Sequence, residues 1–193
     1  MADFLATLPL GKILPAGHYG PEGASGLRLK TFSSDLCTLV AGQDRSKVIV
    51  RARDAFAVDL VDGPRHSAGN GVDFIGVGPG RWLALAPESG LAQRLDAALA
   101  PAASVFDQTG GLVLLEAEGD GMHGVLAKLA PLDLHPAVFP VGAAATTTAA
   151  HVNITFWHGQ GGVWRFAVGR SYLAAFLRLF SCAAAEFGLD WGG

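Results

Sequence analysis

The chain has 193 residues, 50 % of them hydrophobic and only 16 % charged, with a formal net charge of −3, whereas soluble domains ordinarily carry about 25 % charged residues. Its length suffices for one domain with a substantial core, and the mildly acidic balance, pI about 6.0, argues against nucleic acid or an anionic membrane surface as partner. So few charges require either a membrane or a large protein interface. The most apolar run, residues 172–187, holds Arg178 and Glu186 and falls short of the about 20 apolar residues of a span. The opening MADFLATLPLGKILPAG shows neither a basic n-region nor a cleavage pattern. Cys37 and Cys182 lack metal or redox spacing. A cytoplasmic protein in a reducing compartment is therefore expected.

In chain order, residues 15–26 (PAGHYGPEGASG) are too rich in glycine and proline for regular structure and read as an arm or linker. Residues 31–41 give an ambiguous signal. The runs 48–53 and 56–61 read as strands, followed by the loop DGPRHSAGNG at 62–71 and a hairpin of 72–77 with 81–86 joined by GPGR. Leu91, Leu95 and Leu99 recur at four-residue spacing, predicting a helix over 88–99 with Pro87 near its start. Residues 105–108 and 112–118 read as strands. Asp120 is placed to cap a short helix carrying Met122, Val125, Leu126 and Leu129, which Pro131 stops.

Residues 131–142 (PLDLHPAVFPVG) contain three prolines and no charge after Asp133. Proline fixes φ and lacks an amide donor, so this is an ordered, extended connection and neither helix nor central strand. Beyond it, Val152, Ile154 and Phe156 alternate with His151, Asn153, Thr155 and Trp157, and Trp164, Phe166 and Val168 alternate with Val163, Arg165 and Ala167. The turn HGQGG joins these two strands into a hairpin with one core face. A final helix over 171–187 buries Leu173, Leu177, Phe180, Ala184 and Phe187 and ends at Gly188. Strand pairs followed by helices predict an α+β fold, antiparallel sheets with helices packed on them. Residues 1–45 form a partly irregular N-terminal arm or linker and 46–193 the α+β domain.

Chemistry-bearing motifs are scarce. Gly76, Gly78 and Gly80 invite a phosphate cradle, but the following RWLALA alternates like a strand, where a cradle needs a helix N-terminus. Among the six histidines, His66 is the best placed for a catalytic base, against the reading of a solvated loop histidine. None sits at metal-ligand spacing. No strained Gly-x-Ser-x-Gly turn occurs, and Glu116 and Glu118 alternate as on a solvent-facing strand. Neither catalytic, cofactor-binding nor metal-binding residues are assigned. Trp157, on the outward strand face, is either an interface aromatic or covered by the chain's own arm.

GPGRWLAL (78–85), VLAKLAPLDLHPAVFPVGA (125–143) and RFAVGRSYLAAFLRLFSCAAAEFG (165–188) resemble the gamma subunit family of heterotetrameric sarcosine oxidase. The resemblance implies an aminomethyltransferase-like (folate-binding T-protein) fold and a structural, non-catalytic subunit docked chiefly on alpha, beside beta and delta. It implies a complex that oxidatively demethylates sarcosine to glycine, yielding hydrogen peroxide and formaldehyde or 5,10-methylenetetrahydrofolate. FAD, FMN, NAD, tetrahydrofolate and zinc are expected in the other subunits and none in this chain. The alternatives are a stand-alone folate-binding one-carbon transfer protein or a subunit of a related amine demethylase. Leu132, Leu134, Val138, Phe139 and Trp157 are the candidate interface residues, with Leu132, Leu134, Val138 and Phe139 free to face either core or partner.

Overall fold

A computed structural model of the chain describes residues 14–24, 26–149 and 151–192. The elements in chain order are β1 (Gly17–Tyr19), β2 (Leu27–Phe32), β3 (Asp35–Ala41), α1 (Arg45–Phe56), β4 (His66–Gly69), β5 (Val72–Gly78), β6 (Arg81–Ala86), α2 (Leu91–Leu99), β7 (Ala103–Asp107), β8 (Leu112–Glu118), α3 (Met122–Leu129), β9 (Ala144–Ala149), β10 (Val152–His158), β11 (Trp164–Gly169), α4 (Leu173–Ala184) and β12 (Leu189–Trp191). A seven-stranded sheet runs β1-β12-β2-β8-β11-β10-β9 and a five-stranded sheet runs β4-β5-β6-β3-β7. Among the strand pairs of the described residues, only β12–β2 is parallel.

Side-chain alternation sorts the apolar residues into three layers. Leu29, Val113, Leu115, Phe156, Trp164 and Phe166 face α3 and α4 on one flank. Leu39, Phe74, Trp82 and Ala84 face α1 and α2 on the other. Leu36, Ile75, Leu83, Leu85, Leu114 and Trp157 fill the space between the sheets. The order is thus helices, sheet, sheet, helices, with both faces of both sheets used over much of their area. The α+β expectation holds, and so does the β10–β11 register, which sets Phe156 opposite Phe166 and Trp157 opposite Arg165.

Several local expectations give way. Within residues 1–45, read as an arm, β2 and β3 are strands whose Leu27, Leu29, Leu36, Cys37 and Leu39 are buried. Gly17–Tyr19 pairs with β12, and residues 1–13 of that arm lie outside the described residues. The strand-like run 48–53 is helical. Its three-residue Val-Ile-Val start carries β propensity, but Asp44 caps the helix by accepting from Ser46 N at 3.1 Å, and Val48, Ala52 and Phe56 form the buried i, i+4, i+8 stripe. Packing outweighs propensity here. Residues 58–61 follow without regular structure.

Asp120 does not cap α3, whose N-cap is Gly121 without a side-chain bond. Gly121 and Gly124 instead let the Phe187 ring close against α3, because a Cβ on either would meet that ring. Lys128 then spans to α4's end, donating to the Ala183 carbonyl at 3.0 Å and to Glu186 at 2.6 Å. The last helix is Leu173–Ala184, entered through a 3-10 turn at Arg170–Tyr172.

Candidate partner surface and inter-sheet cleft

The proline-rich connection is a strap between the sheets. Gly142 N donates to the His158 carbonyl at 2.7 Å, His66 N to the Gly142 carbonyl at 2.8 Å, and Ala144 N to the Pro64 carbonyl at 3.0 Å. These bonds tie the end of β10 to the start of β4, across the edge where the sheets would otherwise part. Upstream the strap is less extended than its prolines suggest: the His135 carbonyl accepts from both Val138 N and Phe139 N at 2.8 Å, closing a turn. That turn divides the four apolar residues. Leu134 and Phe139 point into the core under α3 and α4, and the Phe139 ring stacks at 16° and 5.7 Å on Trp164. Leu132 and Val138 remain 39 % and 60 % exposed, beside Val141 at 42 %.

Leu134 and Phe139 are therefore core and leave the set of interface residues. Trp157 leaves it too, being 0 % exposed and packed between the sheets. The outward face of β10 is outward only with respect to its own hairpin. A second sheet, whose β5 and β6 lie some 70 residues upstream, covers it.

The histidines also move from their expected settings. His66 lies in β4 with its side chain 13 % exposed and Nε2 3.0 Å from Asp73 Oδ1, so it is not a solvated loop residue. His158 stacks on Trp164 at 4.3 Å and 6°, and His123 meets Trp164 edge-on at 5.4 Å. Burial holds His158 below the ordinary histidine range, against the hydrogen bond of the Phe139 carbonyl, with His123 adding to the depression. Among the described residues no three His, Cys, Asp or Glu converge as metal ligands.

Several carboxylates have structural duties. Asp35 Oδ2 accepts from Gly90 N at 2.8 Å and Leu91 N at 3.3 Å, capping α2 from a neighbouring strand. Asp62 accepts from Gly80 N at 2.6 Å and from Arg45 at 2.9 Å. The Gly80 amide foremost, and Arg45 with it, hold its carboxyl below the usual range despite burial. Gly76 N donates to the Arg65 carbonyl at 2.9 Å, and a Cβ there would strike Gly63. The amides of Gly76 and Gly80 are thus engaged and a carboxylate occupies the turn, so a nucleotide phosphate does not fit it.

Glu116 and Glu118 belong to a charged ladder. Arg28 stands opposite Glu118, and Lys30 and Arg165 flank Glu116, across adjacent strands of the wider sheet, at 2.9, 3.0 and 2.8 Å. Burial works against the Glu116 carboxylate, but hydrogen bonds from Lys30 and Arg165 prevail and hold its carboxyl below the usual range. Only Glu118 matches the solvent-facing expectation. The ladder shares the inner face of the sheet with Leu114 and Trp157, and it marks the strip beyond the narrower sheet, since Arg28 and Lys30 are 68 % and 54 % exposed. The signal was present in the sequence: R-L-K at 28–30 and E-A-E at 116–118 are complementary at strand spacing.

Residues 58–186 match the profile of the "Sarcosine oxidase, gamma subunit" family. The chain belongs to this family. It is 38 % identical over 99 residues to the sarcosine oxidase subunit gamma of an Arthrobacter species, covering 50 % of this chain and about half, 49 %, of that relative. It superimposes with a TM-score of 0.76 and 25 % identity on a chain of the heterotetrameric sarcosine oxidase from Corynebacterium sp. U-96, solved in complex with pyrrole 2-carboxylate, covering 88 % of both chains. The glycine cleavage system aminomethyltransferase T of Bartonella henselae shares the fold at a TM-score of 0.59 and 13 % identity, with 87 % of this chain matching 48 % of that one. The aminomethyltransferase-like α+β architecture is therefore established.

Proposed function

We propose that this chain is the structural, non-catalytic gamma subunit of a heterotetrameric sarcosine oxidase, docked chiefly on the alpha subunit beside beta and delta. The observation that carries the reading is the superposition over 88 % of both chains on a chain of the Corynebacterium assembly. In this reading the complex demethylates sarcosine to glycine, with hydrogen peroxide and formaldehyde or 5,10-methylenetetrahydrofolate as further products. FAD, FMN, NAD, tetrahydrofolate and zinc reside in the other subunits, in the cytoplasm. The engagement of Asp35, Asp62 and Glu116 in caps, turns and strand pairs supports a scaffolding role.

The partner surface has two parts: the exposed apolar edge of the strap, Leu132, Val138 and Val141, and the charged ladder of β2 and β8. An apolar patch with a charged rim is the ordinary anatomy of a stable interface. Stand-alone folate binding has only the fold likeness behind it.

Co-expression with the alpha, beta and delta chains of the same source tests the proposal. The four chains should co-purify as a yellow complex that forms peroxide from sarcosine. Omitting this chain should abolish the soluble complex while the free chain shows no turnover. A fully active complex of the other three alone would overturn it.

A further inference from the structure

Where the sheets diverge beside the β2–β3 link, a cleft of about 210 Å³ opens, lined by Phe32, Ser33, Asp73, Leu85, Trp157 and Arg165 among others. This is far above the ~10–15 Å³ that a single water needs. Its two walls carry opposite charges, Arg165 from β11 of the wider sheet and Asp73 from β5 of the narrower. Arg165 uses Nε for Glu116 at 2.8 Å and lies over the Phe32 ring at 5.5 Å. Its two terminal nitrogens have no hydrogen-bond partner among the described residues. Asp73 Oδ1 pairs with His66 Nε2 at 3.0 Å, which leaves Oδ2 without a partner among the described residues. The apolar lining is Phe32, Leu85 and Pro87. Trp157, also in the lining, is fully buried and its Nε1 has no acceptor among the described residues, a state that costs a buried donor its solvation.

We propose that this cleft binds a small amino acid as its zwitterion, the carboxylate on Arg165 and the ammonium on Asp73. A guanidinium with free terminal donors takes a carboxylate through charge-assisted hydrogen bonds, and a carboxylate with a free oxygen takes an ammonium. A bare cation or anion would meet one matching and one opposing wall. A zwitterion satisfies both, and a volume of about 210 Å³ admits only a small body. The site lies on this chain's own residues and does not depend on the assembly proposed above.

The test is titration of the ¹⁵N-labelled full chain with glycine and N-methylglycine, following the Trp157 indole N–H, assigned by its loss in Trp157→Phe. A saturable shift is expected. Arg165→Gln and Asp73→Asn should each weaken binding by about tenfold or more, as loss of a charge-assisted bond implies. Should either variant fail to fold, the wild-type chain still decides, because propionate and ethylamine each carry one of the two charges and should bind at least about tenfold more weakly than glycine. Absence of a saturable shift with either amino acid, or propionate binding as tightly as glycine, would overturn the proposal.

Discussion

Phe166 faces Phe156 across the β10–β11 pair and contacts Phe176 and Phe180 of α4, with ring centroids 5.6–6.0 Å apart. Truncating a buried phenylalanine costs about 3–5 kcal/mol, and an unpaired buried charge adds to this. Phe166→Asp should therefore unfold the chain or lower its melting temperature by well over ten degrees in a thermal scan; an unchanged midpoint would contradict the register. The two cysteines separate as cleanly. Cys37 is buried in β3 and its thiol is pushed up to about 11 by burial, with Asp107 and Asp35 adding to it, while Cys182 is exposed. A thiol reagent at mild alkaline pH should label Cys182 alone in the native chain and both in denaturant, read by mass spectrometry.

His158 gives the pH dependence its sign. Its folded pKa lies below the ordinary histidine value of 6.5, so on acidification the unfolded chain takes up the proton first. Its stabilising contribution is full above about 6.5 and is lost as pH falls through the lower folded value. His18 works the other way: Asp190 and the Pro21 carbonyl raise it, so its small, exposed contribution is present below 6.5 and fades as pH rises. NMR titration of the imidazole protons should show His158 titrating below His18. The alternation that buries Phe166 is legible in the sequence. The settings of His66 and His158 are not, because Asp73 and Trp164 reach them only through strand pairing and stacking.

At the scale of elements, the β10–β11 hairpin, the β5–β6 hairpin and the leucine stripe of α2 read directly from periodicity, since each is stabilised by contacts its own pattern specifies. Helix α1 did not, because Val48-Ile49-Val50 mimics a strand and only the cap at Asp44 with the Val48, Ala52, Phe56 spacing betrays it. β9 (AATTTA) has no apolar alternation of its own. It is an edge strand paired to β10, with a Thr146–Thr155 hydroxyl bond of 2.9 Å across the pair. The strap shows the same division within twelve residues, Leu134 and Phe139 inward, Leu132 and Val138 outward. Trp157→Arg should accordingly destroy folding, seen as lost cooperative melting. Val138→Asp with Leu132→Asp should leave the melting temperature within a few degrees yet prevent co-purification with the partner chains. The reverse pattern would contradict the placement of these side chains.

At the scale of the molecule, the scarcity of charge has a cause that composition alone does not reveal. A sheet buried on both faces needs apolar residues at successive positions, not alternate ones, and β5, β6, β10 and β11 each carry such runs, as in Leu83-Ala84-Leu85-Ala86. Two sheets stacked between two helical layers thus absorb much of the hydrophobic content that composition had assigned to an interface. The exposed large apolar side chains number seven among the described residues, three of them on the strap, so the partner surface proposed above is a local apolar contact beside a charged rim. The family and the α+β class were legible in the residues of 78–85, 125–143 and 165–188. The second sheet's position over Trp157 was not, because it depends on contacts between distant segments. Subunit membership is tested most directly by native mass spectrometry of this chain, affinity-tagged and purified under gentle conditions from the cells that make it. One complex containing this chain with alpha, beta and delta subunits in equal numbers is the expected result; recovery of the chain only as a monomer or a homo-oligomer would contradict it.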